Sequence, residues 1–160
     1  MRFKIVSLIA VVGLVAACGT APTTETAATT GEGAAMAMAS TGPGSQLDLV
    51  ANVGDRVHFC FDCYNLTPEA RATLQKQAAW MKVNSNVNIT IEGHCDERGT
   101  REYNLALGAR RANAVYDYLV TLGVPMERMA TTSFGKERPQ NPASNEIAWA
   151  ANRRAVAVVR

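Results

Sequence analysis

Two oppositely charged residues lie in the segment EGHCDERGTREYNLALGARRANAVYDYL, Glu92 to Leu119, at a spacing that lets them work together. Asp96 follows a strand-like run that ends in Gly93, and the carboxyl ends of strands are where α/β folds place ligands. Arg111 sits in the helical pattern that comes next. A carboxylate can hold an ammonium group, and a guanidinium can grip a carboxylate through two parallel bonds. The pair therefore suits a zwitterion such as an amino-acid end, although the same spacing fits an internal ion pair that fixes the loop to the helix. His94, Asp96 and Glu97 crowd one loop, and paired carboxylates can cleave glycosidic bonds. Side chains at adjacent positions 96 and 97 point apart, however, and neither His58 nor His94 belongs to a serine or cysteine nucleophile motif. No enzyme is expected, and a hydrolase acting on cell-wall polymer is the weak alternative.

The cysteines are a second chemical group. Cys60 and Cys63 form a C-x-x-C pair, which reads as a redox pair or, with His94 and Cys95, as a three-thiol zinc set. The spacing matches no familiar zinc arrangement, so the chain is expected to hold no metal and no cofactor. A disulfide involving Cys95 is the first expectation, free thiols the second. Trp80, Tyr103, Tyr116 and Tyr118 fall at helical spacing and are expected to pack, not to stack on sugars.

The elements that must position these groups follow from periodicity. Arg56 to Phe61 alternates and is rich in aromatic and β-branched residues, which predicts a strand. Thr67, Pro68 and Glu69 supply an N-cap, a first-turn proline and a first-turn acid. Leu66, Ala70, Leu74, Ala78 and Met81 then repeat at helical spacing, so a helix ends near Asn84. Val87 to Gly93 is a second strand with Val87, Ile89 and Ile91 on one face. Arg101 to Leu122 is a second helix, closed by Gly123 and followed by Pro125. Strands are expected at Met129 to Phe134 and from Arg154 onward. A short helix around Ile147 to Ala151 lies between them, with Trp149 pinning it to the core. The order β-α-β-α-β-β implies an α/β two-layer sandwich with a mixed sheet. There is no internal repeat and no series of membrane-spanning strands.

The start of the chain has a different character. Arg2 and Lys4 precede an apolar run, Ile5 to Ala17, about half the length needed to cross a bilayer, so residues 1–17 read as a signal peptide. Val15-Ala16-Ala17-Cys18 has the form of a bacterial lipobox, which makes the Cys18 thiol the lipidation site. Gly19 fits export to the outer membrane, and several acyl chains give firm attachment there. Residues 18–45 are mostly Ala, Thr, Gly, Ser and Pro, too poor in apolar surface to offset their ordering entropy, and are expected to form a tether. Such a coil spans about 30 Å on average. Residues 46–160 form the globular domain. Without Arg2 and Lys4 the chain carries 14 Lys and Arg against 14 Asp and Glu, and this balance argues against nucleic acid as a partner.

The stretch GHCDERGTREYNLALGARRANAV resembles the signature of OmpA-like domains, D-x-x-G-x-x-x-x-N-x-x-L-x-x-x-R-A, matched at Asp96, Gly99, Asn104, Leu107, Arg111 and Ala112. The similarity runs from Val53 to Arg160 and takes in VGDRV, LTPEA, GKERP and NRRAV. It implies a non-catalytic module that binds the meso-diaminopimelate of the peptidoglycan stem peptide. Asp96 would take the ammonium and Arg111 a carboxylate, while Phe61, Asp62, Arg98 and Leu107 line the groove. Asn104 would hold the loop and Gly99 would permit a tight turn. Behind a lipobox and tether, the resemblance implies a Gram-negative lipoprotein on the periplasmic face of the outer membrane. It also implies association with the Tol proteins, the propeller protein TolB above all, in envelope constriction during division. A structural lipoprotein outside the Tol system is the alternative. A stator-type protein would need a true transmembrane helix. Cys60, Cys63 and Cys95 depart from the family pattern, and all three fall close to the groove.

Overall fold

The computed structural model describes residues 42–160; the leader, Cys18 and most of the tether lie outside the described residues. The elements in chain order are α1 (Gln46–Asn52), β1 (Arg56–His58), α2 (Pro68–Val83), β2 (Ile89–His94), α3 (Arg101–Thr121), a 3-10 turn (Met126–Arg128), β3 (Met129–Gly135), α4 (Glu146–Asn152) and β4 (Arg154–Val159). The sheet order is β1-β4-β2-β3. Strands β2 and β3 run parallel, and β4 is antiparallel to both β1 and β2. Helices packed against a mixed sheet give the expected two-layer α/β sandwich.

One face of the sheet carries Val57, Ile89, Ile91, Ala155 and Ala157. All are buried against Leu74, Ala78 and Met81 of α2 and Ala112, Val115 and Leu119 of α3. The Thr67 hydroxyl accepts from the Ala70 amide at 3.2 Å, and that of Thr100 from Tyr103 at 3.2 Å. Each satisfies an amide that has no partner within its helix. Gly123, at φ 84, ends the segment after α3. Where α3 crosses β2, backbone meets backbone: a Cβ on Gly93 would overlap the carbonyl oxygen of Gly108. The strand that leads to Asp96 and the helix that carries Arg111 are thus seated directly on each other.

Several elements differ from the sequence expectation. Strand β1 ends at His58, three residues before Phe61, because the chain leaves the sheet to make a tight turn; one further bond, from the Phe59 amide to the Arg153 carbonyl, follows it. Val87 precedes β2 instead of opening it. The strand runs on to His94 through a register shift against β3. Helix α1 was not expected. Ser45 caps it by accepting from the Asp48 amide at 3.1 Å, Leu49 enters the core, and the Trp80 indole donates to Asp48 at 2.8 Å. In α4 the residue at the core is Ala148, whereas Trp149 is half-buried and donates to Glu97 in the loop after β2. Among the described residues, no helix is long and apolar enough to cross a membrane.

Candidate functional site

The loop after β2 begins with the Cys95 amide bonded to the Gly135 carbonyl at 2.8 Å, which aims Asp96 off the carboxyl end of the strand. Gly99 turns the chain at φ 90. The Asn104 amide group donates to the carbonyls of Arg98 at 2.7 Å and Thr100 at 3.0 Å. From β3's end, Lys136 donates to the carbonyls of Glu97 at 3.0 Å and Gly99 at 2.7 Å. The carbonyls of Glu97, Arg98, Gly99 and Thr100 therefore all have donors, and the loop's shape is set by side chains reaching in from α3 and the β3 terminus.

Asp96 is 4% exposed. Its Oδ1 accepts from the Arg98 amide at 3.2 Å, and its Oδ2 accepts from Arg98 Nη2 at 2.6 Å and Arg153 Nη1 at 3.4 Å. Burial alone would raise this carboxyl, but the bonds from Arg98, with help from Arg153, outweigh it and hold the group below the ordinary carboxylate value. Arg98 is itself sandwiched, its guanidinium 4.1 Å from the Phe61 ring centre and 4.2 Å from that of Trp149. The Trp149 indole is fixed in turn by donating to Glu97 at 2.9 Å.

Arg111 is 1% exposed. Nε donates to the Cys63 carbonyl at 2.8 Å, Nη1 to His94 at 2.8 Å and Nη2 to Cys60 at 3.1 Å. A guanidinium has five N–H donors, so these bonds leave one hydrogen on each terminal nitrogen free. Burial lowers its pKa, opposed by Cys95 and Asp96 nearby, yet a guanidinium stays charged in proteins. No ion pair joins Asp96 to Arg111 among the described residues; the internal pair that spacing allowed is not formed, and each group has other partners.

The turn from Cys60 to Cys63 forms the opposite wall. Here the cysteine expectation is corrected: Cys60 and Cys63 are bonded to each other, and Cys95 is a free, buried thiol. Cys95 points into the fold, where its Sγ donates to the Asn104 carbonyl at 3.3 Å and burial raises its pKa. Asp62 lies at φ 59, an uncommon conformation for a residue with a Cβ. Its carboxylate accepts from the Tyr103 hydroxyl. Tyr103 is 46% exposed and belongs to this rim, whereas Trp80 is buried and Tyr116 and Tyr118 are packed against the core.

The structure brings Asp96, Arg111, Phe61, Asp62, Arg98 and Leu107, with Gly99 and Asn104, around one cavity of about 170 Å³. Tyr103 and Cys95 also line it. Three contributors were not assigned to the site from the sequence: Arg153, and Trp149 and Tyr103, which were expected to pack. Arg153 is the most consequential, since it ties Asp96 to Glu146 at 2.9 Å and to the Phe59 carbonyl at 3.1 Å. The run NRRAV was visible, but nothing local showed that its first arginine turns toward Asp96. His94 does not line the cavity. It is buried against Phe134, ring centres 5.6 Å apart, and its pKa falls to about 4, chiefly through burial. Among the described residues, no group of His, Cys, Asp and Glu side chains could hold a metal ion.

A small cavity lined by the carboxylates of Asp96 and Asp62, with guanidinium hydrogens of Arg111 left over and a half-apolar rim, can hold a compact molecule bearing both charges. The OmpA family model matches residues 58–159. The chain belongs to the OmpA family. The peptidoglycan-associated lipoprotein of Rhizobium meliloti is 53% identical over 127 residues, which is 79% of this chain and 72% of the relative. A crystal structure of the peptidoglycan-associated lipoprotein from Burkholderia pseudomallei is 44% identical, covers 66% of this chain and 90% of that one, and superposes with a TM-score of 0.65. The C-terminal domain of Helicobacter pylori MotB has the same OmpA-like fold at a TM-score of 0.62 and 19% identity, covering 66% of this chain and 84% of its own. At that identity the likeness concerns fold alone.

Proposed function

We propose that this OmpA-family chain binds peptidoglycan through the diaminopimelate of the stem peptide and, lipidated at Cys18, links the outer membrane to the cell wall. The observation that carries the proposal is that Asp96 and Arg111 line one cavity without being paired to each other. A ligand ammonium joins the Asp96 carboxylate, and a ligand carboxylate takes the free hydrogens of Arg111. The relatives named peptidoglycan-associated lipoproteins support peptidoglycan as the target. Lipid anchorage confines the domain near the wall and raises its effective concentration, so modest, reversible contacts add up to firm attachment. The domain acts by binding, with no bond-making step, and His94, the imidazole at the end of β2, is buried and does not line the cavity. As in the resemblance, the proposed setting is the Tol system, with TolB as protein partner and envelope constriction as the process.

The test is retention of the full chain, purified in detergent, on isolated peptidoglycan. Wild type is retained and Asp96→Asn is not, although circular dichroism shows both folded. Equal retention would remove the site from the proposal, and release of muropeptides by the pure protein would replace the binding module with a hydrolase. Cross-linking in cells decides the partner: no adduct with TolB would leave a wall-binding lipoprotein outside the Tol system.

A further inference from the structure

We infer that the Cys60–Cys63 disulfide is a positioning device for the ligand cavity, holding both the Arg111 guanidinium and the wall formed by Phe61 and Asp62 in place before ligand arrives. The inference rests on the diaminopimelate-binding proposal for that cavity. Phe61 and Asp62 are the two residues between the bonded cysteines, and both line the cavity. The carbonyls of the same two cysteines accept two of the three hydrogen bonds that orient Arg111. One covalent link therefore sets the separation of two acceptors on the guanidinium, with the Cys60 and Cys63 Cα atoms 5.2 Å apart.

Little else holds this turn. The sheet ladder has already ended at His58, and the last ladder-like bond is made by the Phe59 amide. Phe61 is 59% exposed, so burial does not anchor it. Asp62 occupies a left-handed conformation that a non-glycine residue leaves readily when nothing enforces it. The remaining restraints are the two Arg111 bonds to the Cys60 and Cys63 carbonyls, the Cys63 amide to Cys60 carbonyl bond, the Tyr103 to Asp62 bond and the Arg98 stack on Phe61. Without the cross-link, the turn must be ordered at the moment of binding, and that ordering is subtracted from affinity. A link closing so short a loop removes less entropy from the unfolded chain than one closing a long loop. Loss of binding by protein that is still folded separates a positioning role from a merely stabilising one.

The experiment uses the full chain in detergent, titrated with free meso-diaminopimelate and tested for retention on peptidoglycan. Three samples are compared: oxidised, reduced by a dithiol, and Cys60→Ser/Cys63→Ser. In the reduction each sulfur gains one electron and one proton, and the dithiol closes to its own cyclic disulfide; Cys95 is already a thiol and is unchanged. Hydrogen exchange of the Arg111 Nε–H is followed by nitrogen-15 spectroscopy. The expected result is binding weaker by on the order of tenfold in both the reduced and the doubly substituted protein, with faster Nε–H exchange in protein that is still folded. Unchanged affinity on reduction overturns the inference, as does weakened affinity with Nε–H protection intact. Failure of the oxidised wild type to bind either probe overturns the proposal for the cavity itself, and the inference with it.

Discussion

Arg128 and Arg111 both spend their charge on backbone carbonyls, and of the two it is Arg111 that lines the candidate cavity. Arg128, the last residue of the 3-10 turn, donates to the carbonyls of Met81, Asn84 and, twice, Val87, at 2.6 to 2.9 Å, and so closes the end of α2 onto the approach to β2. Four bonds nearly exhaust its five donors, and among the described residues it forms no ion pair. Arg111 makes three such bonds, and Asp96, whose charge it senses, lines the same cavity. The hydrogen-bonding mode is the same at both sites. The difference lies in the donors left over and the space in front of them, so a buried arginine bonded to carbonyls is structural or ligand-ready according to what it leaves unspent.

The comparison breaks first at the ligand. Asp96→Asn and Arg111→Lys should each weaken binding to isolated peptidoglycan by about thirtyfold or more, the ordinary consequence of disrupting a desolvated charge contact. A pH series sharpens the Asp96 half. Because that carboxyl is held below its ordinary value, it keeps its charge as pH falls into the usual carboxylate range, and retention should persist there and fail only below it. Arg128→Ala should show the opposite profile. Stripping the donor from the carbonyls of Met81, Asn84 and Val87 should lower unfolding free energy by about 2 kcal/mol in a urea titration, while the folded fraction binds as wild type. Lost binding in that variant would erase the distinction between the two arginines.

A smaller effect belongs to His94, buried behind the cavity. Its folded pKa of about 4 lies below the ordinary 6.5, so the unfolded chain binds the extra proton between those values. Stability is then full above about pH 6.5 and declines as pH falls toward 4, by at most about 3 kcal/mol. Arg154, Arg138 and Arg56 add to the effect of burial, and Glu92, 3.5 Å from Nε2, is the one acid paired with it. In His94→Phe, thermal unfolding followed from pH 7 to 4 should have a flatter acid limb. The smallest change is expected of Tyr103→Phe. Losing one hydrogen bond to Asp62 at an exposed rim should cost about 0.5 kcal/mol, roughly twofold in affinity.

Much of the frame was legible because it is written locally. Thr67-Pro68-Glu69 announces α2, Gly123 closes the segment after α3, and the alternation of Ile89 and Ile91 marks β2. Helix α1 was hidden because Leu49 is its one buried residue and the segment follows a polar, low-complexity run. The span of β1 was overestimated because Phe59 and Phe61 continue an alternating pattern while the chain has already turned toward Cys63. The site residues that were not assigned from the sequence have their partners far along the chain. Arg153 meets Asp96 and Phe59, and Trp149 meets Glu97 and Arg98, contacts that no local pattern encodes. The cysteine pairing was misjudged for a related reason: Cys95 neighbours the site in sequence, but the bulge in β2 turns its thiol inward toward the Asn104 carbonyl.

The crossing of Gly93 and Gly108 makes the domain a gauge of fixed opening. With neither residue carrying a methyl group, β2 and α3 rest on each other with no compressible layer between them, so the jaws that end in Asp96 and Arg111 cannot slide to suit a longer or shorter molecule. Under the proposed binding of diaminopimelate, selectivity would then come from length, set by a gap machined by two absent side chains.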